Sequence, residues 1–212
     1  MKSFLRALRP ALTVTVALML ICGLAFPLAL NGLSAVLFPA QAKGSLVEAD
    51  GRVVGAEFVG QEFSADYYMK GRPSAYHYNT YVVNEDGTET YLGGTEFAGL
   101  SSGSNNYGPS NPALQERVAA DLEAFLASHP GVRAEDVPTD LLTASGSGLD
   151  PHISPAAAAI QLPAISEASG LSVGTLEQIV ADNTTGKTLG VFGEEVVNVL
   201  GVNIGIYEAM NA

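Results

Sequence analysis

Apolar residues dominate the first fifth of this chain, and no charged side chain occurs from Pro10 to Ala42. Within that stretch, Ala11 to Leu30 (ALTVTVALMLICGLAFPLAL) is the window best suited to span a bilayer. As a helix rising 1.5 Å per residue it covers about 30 Å, the thickness of a hydrocarbon core. Its ten Leu, Val, Ile or Phe residues contribute roughly −3 to −6 kcal/mol to insertion. Gly23 and Pro27 are tolerable in a membrane helix, where Pro27 is expected to kink it near the outer end.

Beyond residue 45 the pattern shortens its period. Leu46 to Val59 predicts a hairpin turning at Asp50-Gly51. Tyr76–Val83 and Thr88–Leu92 predict a second, around Asp86-Gly87. A loop rich in Gly, Ser and Asn spans 98–112 and leads into a helix over 112–128, capped by Ser110 or Asn111. Leu114, Val118, Leu122, Phe125 and Leu126 recur there at helical spacing and predict one buried stripe. Pro130-Gly131 ends it. A second helix is expected over 155–168, closed by Gly170, and a third from Ser172 to about Asn183. In the tail, Leu200, Val202, Ile204 and Ile206 alternate with small or polar residues, which predicts a closing strand. The sum is an α+β fold: a single N-terminal transmembrane helix followed by one extracytoplasmic α+β domain. The expected division is 1–10 cytoplasmic, 11–30 transmembrane, 31–45 juxtamembrane linker and 46–212 domain.

Charge sets the orientation. Lys2, Arg6 and Arg9 are the only charges before Lys43, so the positive-inside rule places the N-terminus in the cytoplasm and the domain outside. All 22 acidic residues follow, against six Lys or Arg from Gly44 onward. Such a domain is unsuited to nucleic acid, whose phosphates need clustered cations, and it concentrates cations near its surface. A cleaved signal peptide competes with the anchor, since Ala40-Gln41-Ala42 has the small-x-small form of a cleavage site. An apolar stretch of 20 residues exceeds the usual 7–15 of such peptides and favours retention. The single Cys22 lies in the apolar segment, behind bulky Leu20 and Ile21, which argues against a lipoprotein. No disulfide can staple the domain within one chain.

Thr143 to Ala158 (TASGSGLDPHISPAAA) admits two readings. Ser145, Ser147, Asp150 and His152 supply the side chains of a hydrolytic triad, which would make the chain an extracellular hydrolase. Alternatively, Asp150-Pro151 and Ser154-Pro155 are cap-then-proline helix starts, and the alanines propagate a helix. The second reading explains more residues. Ala181-Asp-Asn-Thr-Thr-Gly186-Lys187-Thr188 is a relaxed phosphate-loop pattern, but it lacks a preceding strand and a following helix. His77, His129 and His152 lie apart, and no metal site is assigned.

Several ordered segments resemble the C subunit of the Kdp potassium-transporting ATPase. They include Leu37-Phe38-Pro39-Ala40-Gln41-Ala42-Lys43-Gly44-Ser45-Leu46 and Gly71-Arg72-Pro73-Ser74-Ala75. Ser102-Gly103-Ser104-Asn105 runs on to Gly108-Pro109-Ser110-Asn111-Pro112, and Val137-Pro138-Thr139-Asp140-Leu141 leads into the Thr143 segment. Gly193-Glu194 with Val197-Asn198-Val199-Leu200 completes the series. The resemblance implies an accessory subunit, with no catalytic residues of its own, in an ATP-driven potassium importer. Implied partners are a channel-like potassium-binding subunit, a P-type ATPase subunit, a small accessory subunit and membrane lipid. It further implies a catalytic chaperone that raises the ATP affinity of the pump subunit, with ATP and potassium acting at the level of the complex. Arg72, Ser104, Asn105, Asn111, Asp150 and His152 are the candidates for partner contact or loop ordering. Departures from the family pattern are an apparent insertion at 76–100, Glu195-Val196 in place of Pro-Arg, and Ala164 where a basic residue is common.

Overall fold

The structure, a computed structural model, describes residues 2–84, 86–91 and 101–212. The chain divides into two compact units, Met1–Leu46 and Val47–Ala212. The first is helical: α1 (Lys2–Leu20), a π-helical turn (Ile21–Ala25), α2 (Phe26–Leu37) and one further turn, α3 (Pro39–Ala42). Just before Pro27 the helix changes register. Pro27 has no N–H to give to the carbonyl four residues back, and Phe26 donates instead to Ile21, five residues back. The helical stretch Arg6–Leu37 is long and apolar enough to cross a membrane.

The second unit opens with β1 (Leu46–Ala49) and β2 (Arg52–Ala56), paired about Asp50 and Gly51. Both turn residues have positive φ, 50° and 72°, as a two-residue hairpin requires. β3 (Tyr81–Val83) and β4 (Glu89–Tyr91) pair antiparallel, with Val82 opposite Thr90. This hairpin is shorter than expected, because His77–Asn79 turn back as a short 3-10 segment. Leu92 and the start of the 98–112 loop fall outside the described residues. α4 (Pro112–Ser128) is capped by Asn111, whose side chain accepts from the Ala113 amide. Its apolar stripe is half-buried, not buried as expected, and only Phe125 of that set packs against the central core.

β5 (His152–Ile153) leads into α5 (Pro155–Ala159) and α6 (Leu162–Ser169), where one continuous helix was expected. The break falls at Ile160 and Gln161, just before Pro163, whose ring removes a helical hydrogen bond. Gly170, at φ 76°, closes α6 in the left-handed conformation that suits glycine. α7 (Val173–Asp182), capped by Ser172, is followed by β6 (Thr184–Thr185), β7 (Val196–Asn198) and α8 (Val199–Met210). β5, β7 and β6 form a three-stranded antiparallel sheet with β7 central.

The tail overturns the expected closing strand. Only Val196–Asn198 is extended; Asn198 then caps a helix by accepting from the Gly201 amide. Val199, Val202, Asn203 and Ile206 are buried, a spacing of three to four that the alternation of apolar residues masked. Gly201 lets the helix pass Asn183, whose side-chain oxygen would collide with any added Cβ. The core joins α8 to Ile153, Ala157, Leu162, Ile165, Leu176 and Val197, with Met69 reaching in from the loop before Arg72. The α+β class stands.

Candidate functional site

The Gly71–Ala75 segment lies against the loop that runs from Thr143 to His152. Arg72 donates through Nε and Nη2 to the Thr143 carbonyl at 3.3 and 3.2 Å, and Nη1 sits 3.7 Å from Asp150 Oδ2. Ser74 Oγ donates to the Gly148 carbonyl at 2.6 Å and accepts from the amides of Tyr76 and Tyr78. Tyr78 donates its hydroxyl to the Arg72 carbonyl at 2.7 Å. Burial, with Asp150 adding to it and Arg72 opposing, pushes the Tyr78 hydroxyl up to about 12, so it remains a donor. Gly60 gives its amide to the Leu149 carbonyl at 2.8 Å. A side chain there would strike the Asp150 carbonyl and the Tyr78 ring.

This junction stores backbone strain. His77, Tyr78 and Asn79 are three successive non-glycine residues at positive φ, 48°, 51° and 59°. Each such placement costs an L-residue about 1–2 kcal/mol. The strain is offset locally by the Ser74 and Tyr78 bonds and by Asn79, which exchanges two hydrogen bonds with the Ser101 backbone.

The other expected site residues are distributed around this junction. Asp150 Oδ1 accepts from the His152 amide at 3.0 Å, an Asx turn, and His152 Nδ1 stands 4.0 Å from the same oxygen. Ser104 is half-buried and holds Asn106 at positive φ by accepting its amide. Asn105 is exposed and, with Ser104, Ser74, His77, Arg117 and Thr143, lines a cleft of about 470 Å³. Asn111 is apart from these, capping α4.

The triad reading fails on geometry. Ser145 Oγ accepts from the Ser147 amide, and Ser147 Oγ accepts from the Leu149 amide and meets Ser102 Oγ at 3.0 Å. Among the described residues neither hydroxyl bonds His152, so no base is placed to take a serine proton. Ser154 caps α5 through the Ala157 amide, and Asp140 in turn accepts from the Ser154 amide at 2.7 Å. The phosphate-loop pattern also forms no cradle. After Lys187 the chain makes a turn closed by Thr188 and Phe192, and the next helix begins only at Val199. Among the described residues no group of three or more His, Cys, Asp or Glu could hold a metal ion.

Two residues that pattern reading missed hold the junction to the core. Asn203, 2% exposed on α8, accepts from the Met69 amide at 2.8 Å and donates to the Met69 carbonyl at 3.0 Å. Gln161, fully buried, treats Lys70 the same way at 2.8 and 3.2 Å. Two side-chain amides thus replace a neighbouring strand for a buried stretch of backbone. An amide inside the run Val199–Ile206 was the available signal, legible once that run is wound as a helix.

The family model described as KdpC, K+-transporting ATPase, c chain, matches residues 8–208. The chain is 52% identical over 206 residues to the potassium-transporting ATPase KdpC subunit of Clostridium kluyveri, covering 97% of this chain and 95% of the relative. It is also 52% identical to the KdpC subunit of Clostridioides difficile, over 95% of this chain and 97% of that one. With the KdpC subunit of Methylobacterium nodulans the identity is 47%, over 96% and 98%. An N-terminal apolar helix, an α+β unit and a match across nearly the whole length agree: this chain belongs to the KdpC family.

Proposed function

We propose that this chain is a non-catalytic accessory subunit of an ATP-driven potassium import complex. It assembles and stabilises a channel-like potassium-binding subunit, a P-type ATPase subunit and a small accessory subunit. The observation that carries this reading is the family match over residues 8–208, joined to an apolar helix, Arg6–Leu37, long enough to span a bilayer. Lys2, Arg6 and Arg9 keep the N-terminus cytoplasmic, so the α+β domain stands outside the cell membrane. There its carboxylates, 22 against six basic residues from Gly44 onward, raise the local concentration of potassium at the outer mouth of the channel-like partner. Arg72, Asn111 and Asp150 act as loop-ordering residues, while Ser104 and Asn105 line the cleft and His152 stays partly accessible beside Asp150.

The same membership supports a catalytic-chaperone role for this chain. An outer domain cannot share a pocket with cytoplasmic ATP, so a rise in ATP affinity passes through the anchor helix or the conformation of the complex. That is a coupling free energy, and tenfold in affinity requires about 1.4 kcal/mol of it.

Co-purification tests the proposal. Tagged full-length chain expressed with its transport subunits should bring them down together, and deletion of residues 1–30 should abolish their recovery. An unchanged complex after that deletion would overturn the anchored-subunit reading. Loss of the chain should also raise the KM for ATP of the remaining pump; an unaltered KM would remove the chaperone role alone.

A further inference from the structure

We propose that the hairpin tip bearing Leu189, Val191 and Phe192 is a plug that seats in an apolar, cation-rimmed pocket on another protein subunit of the transport assembly. The proposal rests on the accessory-subunit reading and names a surface that reading leaves open. Thr188 and Phe192 exchange backbone hydrogen bonds of 2.8 and 3.0 Å, closing a loop of three residues, Leu189 to Val191. Leu189 is 87% exposed, Val191 74% and Phe192 65%. Scattered apolar side chains on a surface need no explanation, but neighbouring ones held out together at a tip mark an interaction site.

The backbone makes Leu189 harder to explain by folding alone. Its φ is 55°, the left-handed region that glycine or asparagine occupies at little cost and a branched side chain does not. Strain elsewhere in the domain is offset by side-chain hydrogen bonds. Leu189 is strained and solvated at once, and no described residue covers it, which is what a side chain reserved for a partner would show.

Charge selects the partner. At the base of the tip Lys187 Nζ lies 3.6 Å from Glu194 Oε2, and Glu195 follows, leaving two carboxylates against one cation. Anionic lipid surfaces attract basic segments and repel this one. A second copy would oppose the same negative rim to itself, which is unfavourable. A protein pocket, apolar at its floor and lined with Lys or Arg at its edge, answers both features.

The test uses the full-length tagged chain expressed with the transport subunits. In one variant Leu189→Asn, Val191→Thr and Phe192→Thr are combined; asparagine accepts the left-handed turn, so membrane retention and far-UV circular dichroism should match wild type. Recovery of partner subunits should fall at least about tenfold, as for the central apolar anchors of an interface. Recovery equal to wild type overturns the plug and leaves the accessory reading standing. No recovery by the wild-type chain overturns both. Independently, p-benzoylphenylalanine replacing Leu189 in an otherwise unaltered chain should crosslink to another subunit on illumination. An adduct to lipid, or one of twice the chain's mass, refutes the proposal.

Discussion

Two turns in the α+β domain carry left-handed backbone on bulky residues, and they are treated oppositely. At His77–Asn79 the strain sits inside a lattice of hydrogen bonds from Ser74, Tyr78 and Asn79, half-buried against the 143–152 loop. At Leu189 the side chain meets solvent, as do those of Val191 and Phe192 in the same turn. The first turn is held by the domain, and its His77 lines the cleft. The second is closed by its own backbone bonds between Thr188 and Phe192 and leaves its side chains in solvent. Polar residues gathered in one loop, which look like chemistry in a linear reading, are consumed by backbone; the surface left unexplained is an oily one.

The comparison is sharpest where the first region is anchored. Asn203→Ala deletes both partners of the buried Met69 backbone and should destabilise the domain by about 2–4 kcal/mol. Urea denaturation of the detergent-solubilised chain, followed by near-UV circular dichroism of its eight tyrosines, measures this. A loss under half that size would mean the amide clasp is not what fixes the junction. Arg72→Ala removes two bonds to Thr143 and the Asp150 ion pair, all partly solvated. It should cost about 1–2 kcal/mol in the same assay. Arg72→Lys should restore little of it, because an ammonium cannot reproduce the fork.

At the second turn the sign reverses. Leu189→Asn should leave the urea midpoint unchanged or raise stability by up to about 1 kcal/mol, since asparagine tolerates positive φ. A clear destabilisation would show that Leu189 packs within its own chain and would erase the contrast.

The smallest effect concerns His129, buried at the end of α4 with its ring stacked 3.9 Å from that of Phe125. Burial lowers its pKa below the usual 6.5; the hydrogen bond to the Phe125 carbonyl raises it, and Lys70 lowers it further. The unfolded chain therefore binds the proton more readily than the folded one. This contribution to stability is present above pH 6.5 and is lost as pH falls through 6.5 towards the lower folded pKa. Thermal midpoints measured between pH 7.5 and 5.5 should decline, and His129→Gln should flatten the decline. An equal slope in the variant would assign the acid sensitivity to other groups.

Much of this was visible in the linear chain. Asp50-Gly51 announced its hairpin, Asn111 and Ser172 their helices, and Gly170 the end of α6, because these signals act within a few residues of themselves. The tail was misjudged for a physical reason: in Val199–Ile206 apolar residues sit at both strand and helix spacing, and the Asn198 cap decides between them. The α4 stripe was read as buried because periodicity shows which residues share a face, not what covers it.

By itself, the order of residues determined an apolar helix long enough for a bilayer, an acidic domain, the local caps and turns, and family membership. Each depends on composition or on neighbours along the chain. Tertiary structure alone decided that Asp150 meets Arg72, that Asn203 and Gln161 grip Met69 and Lys70, and that Leu189 is left in water. Those outcomes depend on which distant segments pack together, because a polar group's role is set by the partner that removes it from solvent.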